Sequence, residues 1–191
     1  NGTSHVFVVS LIDFSILYEF GAADGFALRG WPMYDSAPLI DAETDKLIYC
    51  GESGVIYIIT LGTQYDEEAG TISVNPTRAA KWRYKSIRYA STGQYWLGFE
   101  ASPVIWQSHM IVPDNGGNLI CLDLNTLTVD WVQDTLDDTN CTPALEIEAG
   151  HPYIYESTSF HLGWRPHNTA PVPVWKIDAV TGALVWKTAY E

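Results

Sequence analysis

Cationic and aromatic side chains are concentrated in a few segments of an otherwise acidic sequence. The chain of 191 residues has a formal net charge of −13, with 10 lysines and arginines against 23 acidic residues. Guanidinium groups beside aromatic planes can hold a sugar, a planar cofactor or an acidic peptide. A purely structural role is the alternative, because long loops fold over themselves and need aromatic anchors. The candidate ligand-binding residues are Arg29, Trp31, Tyr34, Arg88, Tyr95, Trp96, His161, Trp164 and Arg165.

The other reactive side chains do not form a catalytic or metal-binding pattern. His161 and His167 stand on one predicted loop at a spacing that is not typical of zinc ligands. Asp134, Asp137 and Asp138 fit no EF-hand pattern, and we expect a solvated acidic loop at these positions. The sequence also lacks a Gly-x-Ser-x-Gly elbow, a phosphate-binding loop and a dinucleotide fingerprint. We therefore assign no catalytic residue and no metal ligand.

Composition limits the class of protein further. The strong negative charge repels phosphate backbones, so nucleic acid is not an expected partner. No apolar run is long enough to span a bilayer. Cys50, Cys121 and Cys141 match neither a disulfide framework nor a Cys-x-x-Cys zinc site, and we expect buried free thiols in strands.

The chain repeats a unit in which a tryptophan follows an aspartate at a fixed distance. The stretch from Asp123 to Trp131 aligns with the stretch from Asp178 to Trp186, and a threonine is also in register. A shorter relative lies at 11–20, with a phenylalanine near the tryptophan position. Because the aspartates recur at a turn, their expected role is to cap that turn rather than to act as catalysts.

Each unit is predicted to contain four short antiparallel strands, A to D. In the second unit they are Pro103–Trp106, Met110–Pro113, Asn118–Leu124 and Val129–Gln133. Such a unit has two apolar faces, and radial stacking of four-stranded sheets, which gives a β-propeller, can bury both of them. The predicted fold is therefore all-β, a propeller with blades at 36–82, 102–131 and 142–186 and a partial blade at 5–20. Closed rings need about four to eight blades, so we expect the chain to be part of a larger ring.

These units resemble the pyrroloquinoline-quinone-like propeller repeats, whose blades open with Ser-Pro and close with Asp-x-x-Thr-Gly-x-x-x-Trp. The resemblance implies the fold, but the family includes quinoprotein dehydrogenases, outer-membrane assembly scaffolds and sensor domains without quinone. The dehydrogenases carry two adjacent cysteines beside the cofactor, whereas none of the three cysteines here has a cysteine neighbour. No calcium-binding Glu/Asn/Asp set can be assigned either, so pyrroloquinoline quinone is not an expected cofactor.

Strand alternation predicts which loops share a face of the propeller. The turns between strands B and C and the links from strand D to the next strand A lie on one face, here called the B–C/D–A face. The candidate ligand-binding residues all fall in segments of this face. We expect a non-catalytic binding or scaffold propeller outside the cytoplasm that recognises a small molecule or protein there. The alternative is a quinone-dependent dehydrogenase domain.

Overall fold

The computed structural model describes residues 4–21, 24–85, 97–159 and 172–190. These residues form strands and connecting turns, without a helix long and apolar enough to cross a bilayer in the described part of the chain. The strands are β1 His5–Val9, β2 Ile16–Gly21, β3 Leu39–Asp41, β4 Lys46–Cys50, β5 Ile56–Thr60, β6 Gln64–Asp66, β7 Thr71–Ser73, β8 Arg78–Trp82, β9 Val104–Trp106, β10 His109–Pro113, β11 Asn118–Asp123, β12 Val129–Asp134, β13 Ala144–Glu148, β14 His151–Ser157, β15 Val172–Asp178 and β16 Leu184–Tyr190.

Three of the sheets have four antiparallel strands in simple sequence order. They are β3-β4-β5-β8, β9-β10-β11-β12 and β13-β14-β15-β16, which we call blades 1, 2 and 3. The four strands of blade 2 begin and end within a residue of the predicted positions. The prediction of an all-β fold made of four-stranded blades is confirmed. The strands β1 and β2 form a separate two-stranded sheet, called the half-blade, and β6 and β7 form a hairpin inside the C–D connection of blade 1.

The central strands of blades 1 and 2 are buried on both faces, because alternate residues of one strand point to opposite neighbouring sheets. In β11, Ile120 and Leu122 face blade 1, whereas Leu119 and Cys121 face blade 3. In β4, Ile48 joins the cluster shared with blade 2. Leu47 and Tyr57 instead join the cluster that includes Val8, Tyr18 and Phe20 of the half-blade. This arrangement explains why strands B and C read as apolar runs rather than as alternating patterns.

The repeated turn between strands C and D is built as the sequence predicts. The Asp123 carboxylate accepts hydrogen bonds from the backbone amides of Asn125 and Thr126. The Asp178 carboxylate accepts the same bonds from Val180 and Thr181. These amide bonds lower the pKa of both carboxyls. They are thus turn caps, as expected.

In the half-blade, the repeat register differs from the one predicted. Ser10 occupies the aspartate position of the repeat, because its backbone amide donates to the Ser15 carbonyl. The amides of Asp123 and Asp178 make the same bond, to the carbonyls of Thr128 and Ala183. Its hydroxyl accepts the Ile12 amide, as a capping carboxylate would. Phe14 and Gly182 both have left-handed backbone at the same step of the turn. Tyr18, rather than Phe20, therefore stands at the tryptophan position.

Trp131 and Trp186 occupy the same register, each opposite the residue that precedes a β-bulge. Trp131 is half-buried against blade 3, where its Nε1 donates to the Ala179 carbonyl at 3.3 Å. Its ring covers Gly182 so closely that a Cβ there would lie 2.6 Å from it. The Thr-Gly turn of one blade thus needs its glycine to accept the tryptophan of the blade before. Trp186 has no such neighbour among the described residues and is 42% exposed.

The closing tryptophan predicted for blade 1 does not hold that register. Trp82 lies opposite Ile56, and Ala80 lies opposite Ile58, which corresponds to Cys121 of blade 2. The long C–D connection with its hairpin separates the turn from strand D, so the spacing used to find the unit does not apply there. Trp82 still packs on the cluster between blades 1 and 2 and stacks on Tyr84.

We expect Trp131→Ala to lower the free energy of unfolding by about 3 kcal/mol, because the truncation opens a cavity between blades 2 and 3. The matched control is Trp186→Ala, at the same register but without a neighbouring blade in the described chain, and its cost should stay below about 1 kcal/mol. Urea denaturation of both variants measures the difference. Equal costs would show that the tryptophan stabilises its own blade rather than the interface.

Candidate functional site

The B–C turns and D–A links are bonded to one another through the backbone around one face of the fold. The Phe99 amide donates to the Gly51 carbonyl of blade 1, and the Asn115 amide of blade 2 donates to the Gly98 carbonyl. The link between blades 2 and 3 repeats this arrangement, since the Thr135 amide donates to Gly117 and the Ser159 amide donates to Asp138. Each of these links is therefore held between the B–C turns of the blades before and after it.

Two glycines make this close approach possible. Gly54 has left-handed backbone, and a Cβ there would collide with the Leu97 carbonyl. A Cβ on Gly98 would collide with the guanidinium of Arg29 and come within 2.7 Å of the Glu52 carbonyl. A side chain at either position would separate the link from the turn.

Arg29 lies inside this assembly, at 6% exposure. Its Nη2 is 3.0 Å from Glu52 Oε2 and 3.6 Å from Glu100 Oε1, and its Nε donates to the Glu52 carbonyl. The sequence analysis named Arg29 as a candidate ligand-binding residue in a cationic and aromatic segment. Its charge is instead used within the protein, because a buried guanidinium must be paired with carboxylates.

Glu100, one of the two carboxylates paired with Arg29, stands at a repeated position that the sequence analysis did not single out. Asp35, Glu100 and Asn140 each stand three residues before the proline that opens a blade. Glu100 Oε1 accepts a 2.6 Å hydrogen bond from Nδ2 of the Asn115 side chain, in the B–C turn of blade 2. In the orientation that satisfies its neighbours, the Asn140 amide donates to Glu100 at 3.1 Å and to Asp138 at 3.0 Å. Aligning the opening prolines would have revealed these residues.

Asp137 and Asp138 are buried, at 1% and 2% exposure, so the prediction of a solvated acidic loop at these positions was wrong. The link that carries them is bonded to the B–C turn of blade 3, because the Ser159 amide donates to the Asp138 carbonyl. Burial, together with Glu100, Asp137 and Asp114 nearby, raises the pKa of Asp138 to about 8 despite Arg29. Asp134, the last residue of β12, is exposed, as expected.

Two further carboxyls on this face hold protons more tightly than usual. Burial first, then a hydrogen bond with Asp35 and repulsion by Glu100, raise the pKa of Glu52 to about 7. Burial raises the pKa of Glu156 in blade 3 to about 7 as well. The Thr139 hydroxyl donates to Glu156 Oε1, whereas Oε2 has no hydrogen-bond partner. The cluster is therefore partly neutral near pH 7, which reduces repulsion among buried carboxyls.

Of the remaining predicted ligand-binding residues, the structure describes only Trp31 and Tyr34. Trp31 lies beside Arg29, whose guanidinium carbon is 5.0 Å from the centre of its ring, and it is 49% exposed. Tyr34 lies apart from this pair and stacks on Tyr49 at 4.8 Å, lining a cleft next to β1. Burial raises the pKa of the Tyr34 hydroxyl. Outside the described residues lie Arg88, Tyr95, Trp96, His161, Trp164 and Arg165.

The cysteines do not form a redox or metal centre. Cys50 and Cys121 are buried as expected, and burial raises the pKa of both thiols. Cys141 is exposed, contrary to the prediction, and its thiol donates to the Ser157 carbonyl as the Ser36 hydroxyl donates to the Cys50 carbonyl in blade 1. It therefore occupies a repeat position. Within residues 4–21, 24–85, 97–159 and 172–190, no three histidine, cysteine or acidic side chains are arranged to hold a metal ion.

Solved structures of β-propellers are similar to this chain in fold. BamB from Moraxella catarrhalis matches with a TM-score of 0.57 at 13% identity, over 98% of this chain and 43% of that one. Sqt1 from Saccharomyces cerevisiae matches with a TM-score of 0.62 at 11% identity, over 98% and 43%. Quinohemoprotein alcohol dehydrogenase from Comamonas testosteroni matches with a TM-score of 0.52 at 16% identity, over 85% and 22%.

The chain spans less than half the length of these three proteins. No protein-family model matches the sequence, and no curated protein matches it. At such low identity the likeness establishes the β-propeller fold alone. The neighbours include both propellers named without an enzymatic activity and quinone enzymes.

We expect Asp138→Asn to flatten the pH dependence of stability. The pKa of the unfolded aspartate is near 4 and that of the folded one is about 8, so folding takes up a proton between these values. Stability from this group is full below pH 4 and is lost as the pH rises to 8. The variant should equal the parent near pH 4 and exceed it near pH 8 by about 2 kcal/mol or more in urea unfolding.

The matched control is Glu68→Gln, which removes an exposed carboxyl from the turn that follows β6. Its stability should change with pH in parallel with that of the parent protein. If Asp138→Asn also followed the parent at every pH, the Asp138 carboxyl would be ionised in the folded protein.

Proposed function

We propose that this chain is a section of a larger β-propeller that acts as a non-catalytic binding scaffold, and that its ligand or protein partner docks on the B–C/D–A face. The observation that carries the proposal is the network of backbone hydrogen bonds that joins the described links and turns of this face. Links and turns from three blades are bonded together, and the exposed Trp31 lies in a link that is bonded to the B–C turn of blade 1. A surface that is ordered before binding loses little conformational entropy when a partner arrives, which favours recognition.

Aromatic surface supports this proposal better than positive charge does. Exposed tryptophans are frequent anchors of protein interfaces. Met33, 50% exposed, follows Trp31 closely in the same link. Arg29 contacts the ring of Trp31, while its charge is paired with the carboxyls of Glu52 and Glu100. The partner therefore needs no negative charge to approach this part of the face.

The compartment and the remaining blades belong to the same proposal. The acidic, aromatic-rich composition suits a protein outside the cytoplasm. The coverage of less than half of similar β-propellers suits a ring with further blades. The predicted residues Arg88, Tyr95, Trp96, His161, Trp164 and Arg165 stay candidates for contact with the ligand.

The alternative is a quinone-dependent dehydrogenase domain, which the likeness to quinohemoprotein alcohol dehydrogenases favours. The described residues do not fit that cofactor. They provide no grouping for a metal ion, and none of the three cysteines has a cysteine neighbour. We therefore derive no chemical step through a quinone.

Photo-crosslinking distinguishes the proposed face from the opposite one. We expect benzoylphenylalanine at position 31 to give a discrete crosslinked species in cells that produce the protein. The same group at position 65, on the exposed β6–β7 hairpin of the C–D side, should give none. Trp31→Ala should then weaken binding of the captured partner by about 2 kcal/mol, with an unchanged melting temperature. Identical crosslinks at both positions, or a loss that follows unfolding, would refute the proposed face.

An absorbance titration separates the two functional classes. We expect the purified chain to show no saturable spectral change when pyrroloquinoline quinone is added with calcium chloride. Bovine serum albumin serves as the control for nonspecific adduct formation. A saturable change of one quinone per chain, lost when calcium is chelated, would favour the dehydrogenase.

A further inference from the structure

A chain of side-chain contacts connects the three D–A links of the B–C/D–A face. Nη2 of Arg29, in the link before blade 1, lies 3.0 Å from Glu52 Oε2 and 3.6 Å from Oε1 of Glu100, in the link before blade 2. The side-chain amide of Asn140, in the link before blade 3, donates to both Glu100 and Asp138. We call these five residues the link network. The links therefore contact one another through side chains, in addition to the backbone bonds that hold them to the turns.

The link that carries Trp31 is bonded to the same turn that supplies Glu52. The Arg29 amide donates to the Ser53 carbonyl at 3.2 Å, and the Glu52 amide donates to the Met33 carbonyl at 2.9 Å. The guanidinium carbon of Arg29 lies 5.0 Å from the centre of the Trp31 ring. A rearrangement of the link network thus reaches the exposed aromatic surface through two of its members.

Buried negative charge exceeds buried positive charge at this end of the molecule. In the described part of the chain, Arg29 is the one buried lysine or arginine side chain. Five carboxyls are buried at the same end, and they belong to Glu52, Asp114, Asp137, Asp138 and Glu156. Buried carboxyls without a matching cation are tolerated only when they accept hydrogen bonds or hold protons. The stability of the link network therefore depends on how many of its carboxyls are protonated.

The charged groups that act on Asp138 come from three links and one turn. They are Arg29 of the link before blade 1, Glu100 of the link before blade 2, Asp114 of the B–C turn of blade 2, and Asp137 of its own link. From blade 3, the turn residue that contacts Asp138 is the uncharged Ser159, which donates its amide to the Asp138 carbonyl. Acidic neighbours outnumber the single cation, so they oppose ionisation of Asp138 together with burial.

Protons favour the closed arrangement of the links. An opened link exposes Asp138 to water, where the pKa of an aspartate is near 4. In the closed network the pKa is about 8, so closing takes up a proton between these values. Glu52 acts in the same direction, because burial, a hydrogen bond with Asp35 and repulsion by Glu100 raise its pKa to about 7. The advantage of the closed state is therefore complete below about pH 4 and is lost as the pH rises to about 8.

We propose that the link network is a proton-dependent switch of the B–C/D–A face: the links stay bonded to the turns while the shared carboxyls hold protons, and they open locally as these carboxyls ionise. The strands of the blades stay paired during this opening. The surface around Trp31 is then best ordered for its partner in mildly acidic solution. The role of Trp31 rests on the proposed function, whereas the opening of the links requires no partner.

Amide hydrogen exchange of the purified chain at several pH values between about pH 5 and pH 8 tests the proposal. The reporters are the four backbone amides that join links to turns, which belong to Phe99, Asn115, Thr135 and Ser159. After correction for the intrinsic exchange rate, their protection should fall by roughly tenfold or more across this range. The internal control is the pair of amides in the C–D turns, those of Asp123 and Asp178. Their protection should change by less than about twofold, because the carboxyls of these turns have lowered pKa values.

Two results of this experiment would overturn the proposal. Reporter amides whose protection does not depend on pH would show that the network carries no proton switch. A parallel fall in the reporters and in the C–D turns would show that the buried carboxyls lower the stability of the whole chain without opening the links.

Matched substitutions identify the carboxyl that responds. Asp138→Asn keeps a side chain that can accept the bond from Asn140 and cannot ionise, so most of the pH-dependent fall in protection should disappear. Glu68→Gln removes an exposed carboxyl and should leave the fall as it is in the parent. An Asp138→Asn variant that is folded and still shows the full fall would contradict the assignment to this network.

Infrared spectroscopy of the parent chain gives a measurement that needs no variant. The C=O stretch of a protonated carboxyl should be present near pH 6 and should disappear as the pH rises past about 8, in step with the loss of protection at the reporter amides. A spectrum without such a band would refute the switch.

These results are separable from the test of the proposed function. The exchange and infrared measurements use the chain without a partner, so they can succeed when crosslinking at position 31 fails. Intact crosslinking together with pH-independent protection would reject the switch alone.

Discussion

Backbone hydrogen bonds between links and turns hold successive blades at a fixed distance and register. Each described D–A link between complete blades is bonded to the B–C turn before it and to the B–C turn after it. Backbone groups buried in loops must find partners, and here they find them in the neighbouring blade. The approach is so close that Gly54 and Gly98 have no space for a Cβ. The apolar clusters between blades can therefore pack only in the arrangement that these bonds allow.

The same constraint explains why charge lies inside this end of the molecule. Links that run between turns carry their acidic side chains into the interior, where Arg29 is the cation bonded to Glu52. Buried carboxyls are tolerated only when they are paired, hydrogen-bonded or protonated. Glu100 accepts hydrogen bonds from the side-chain amides of Asn115 and Asn140, while burial raises the pKa of Asp138 to about 8. Burial of these carboxyls therefore costs stability as the pH rises through their pKa values.

Stability in this architecture passes from blade to blade. The central strands of blade 2 give alternate side chains to the clusters on either side, so neither face is complete without its neighbour. Trp131 shows the consequence most clearly, because its partner is a glycine in the next blade. Where a neighbour is missing from the described chain, equivalent side chains such as Trp186 are exposed.

The sequence by itself determined the repeating unit and the fold class. Asp123, Asp178, Trp131 and Trp186 could be recognised because turn caps and strand positions depend on local spacing. The half-blade was found but read in the wrong register, since Ser10 and Tyr18 replace the expected aspartate and tryptophan in roles defined by hydrogen bonds. Only the tertiary structure decided which side chains of the B–C/D–A face are buried. The burial of Arg29 and Asp138 depends on how closely links and turns from different blades approach, and that distance is not encoded in the spacing of residues along one segment.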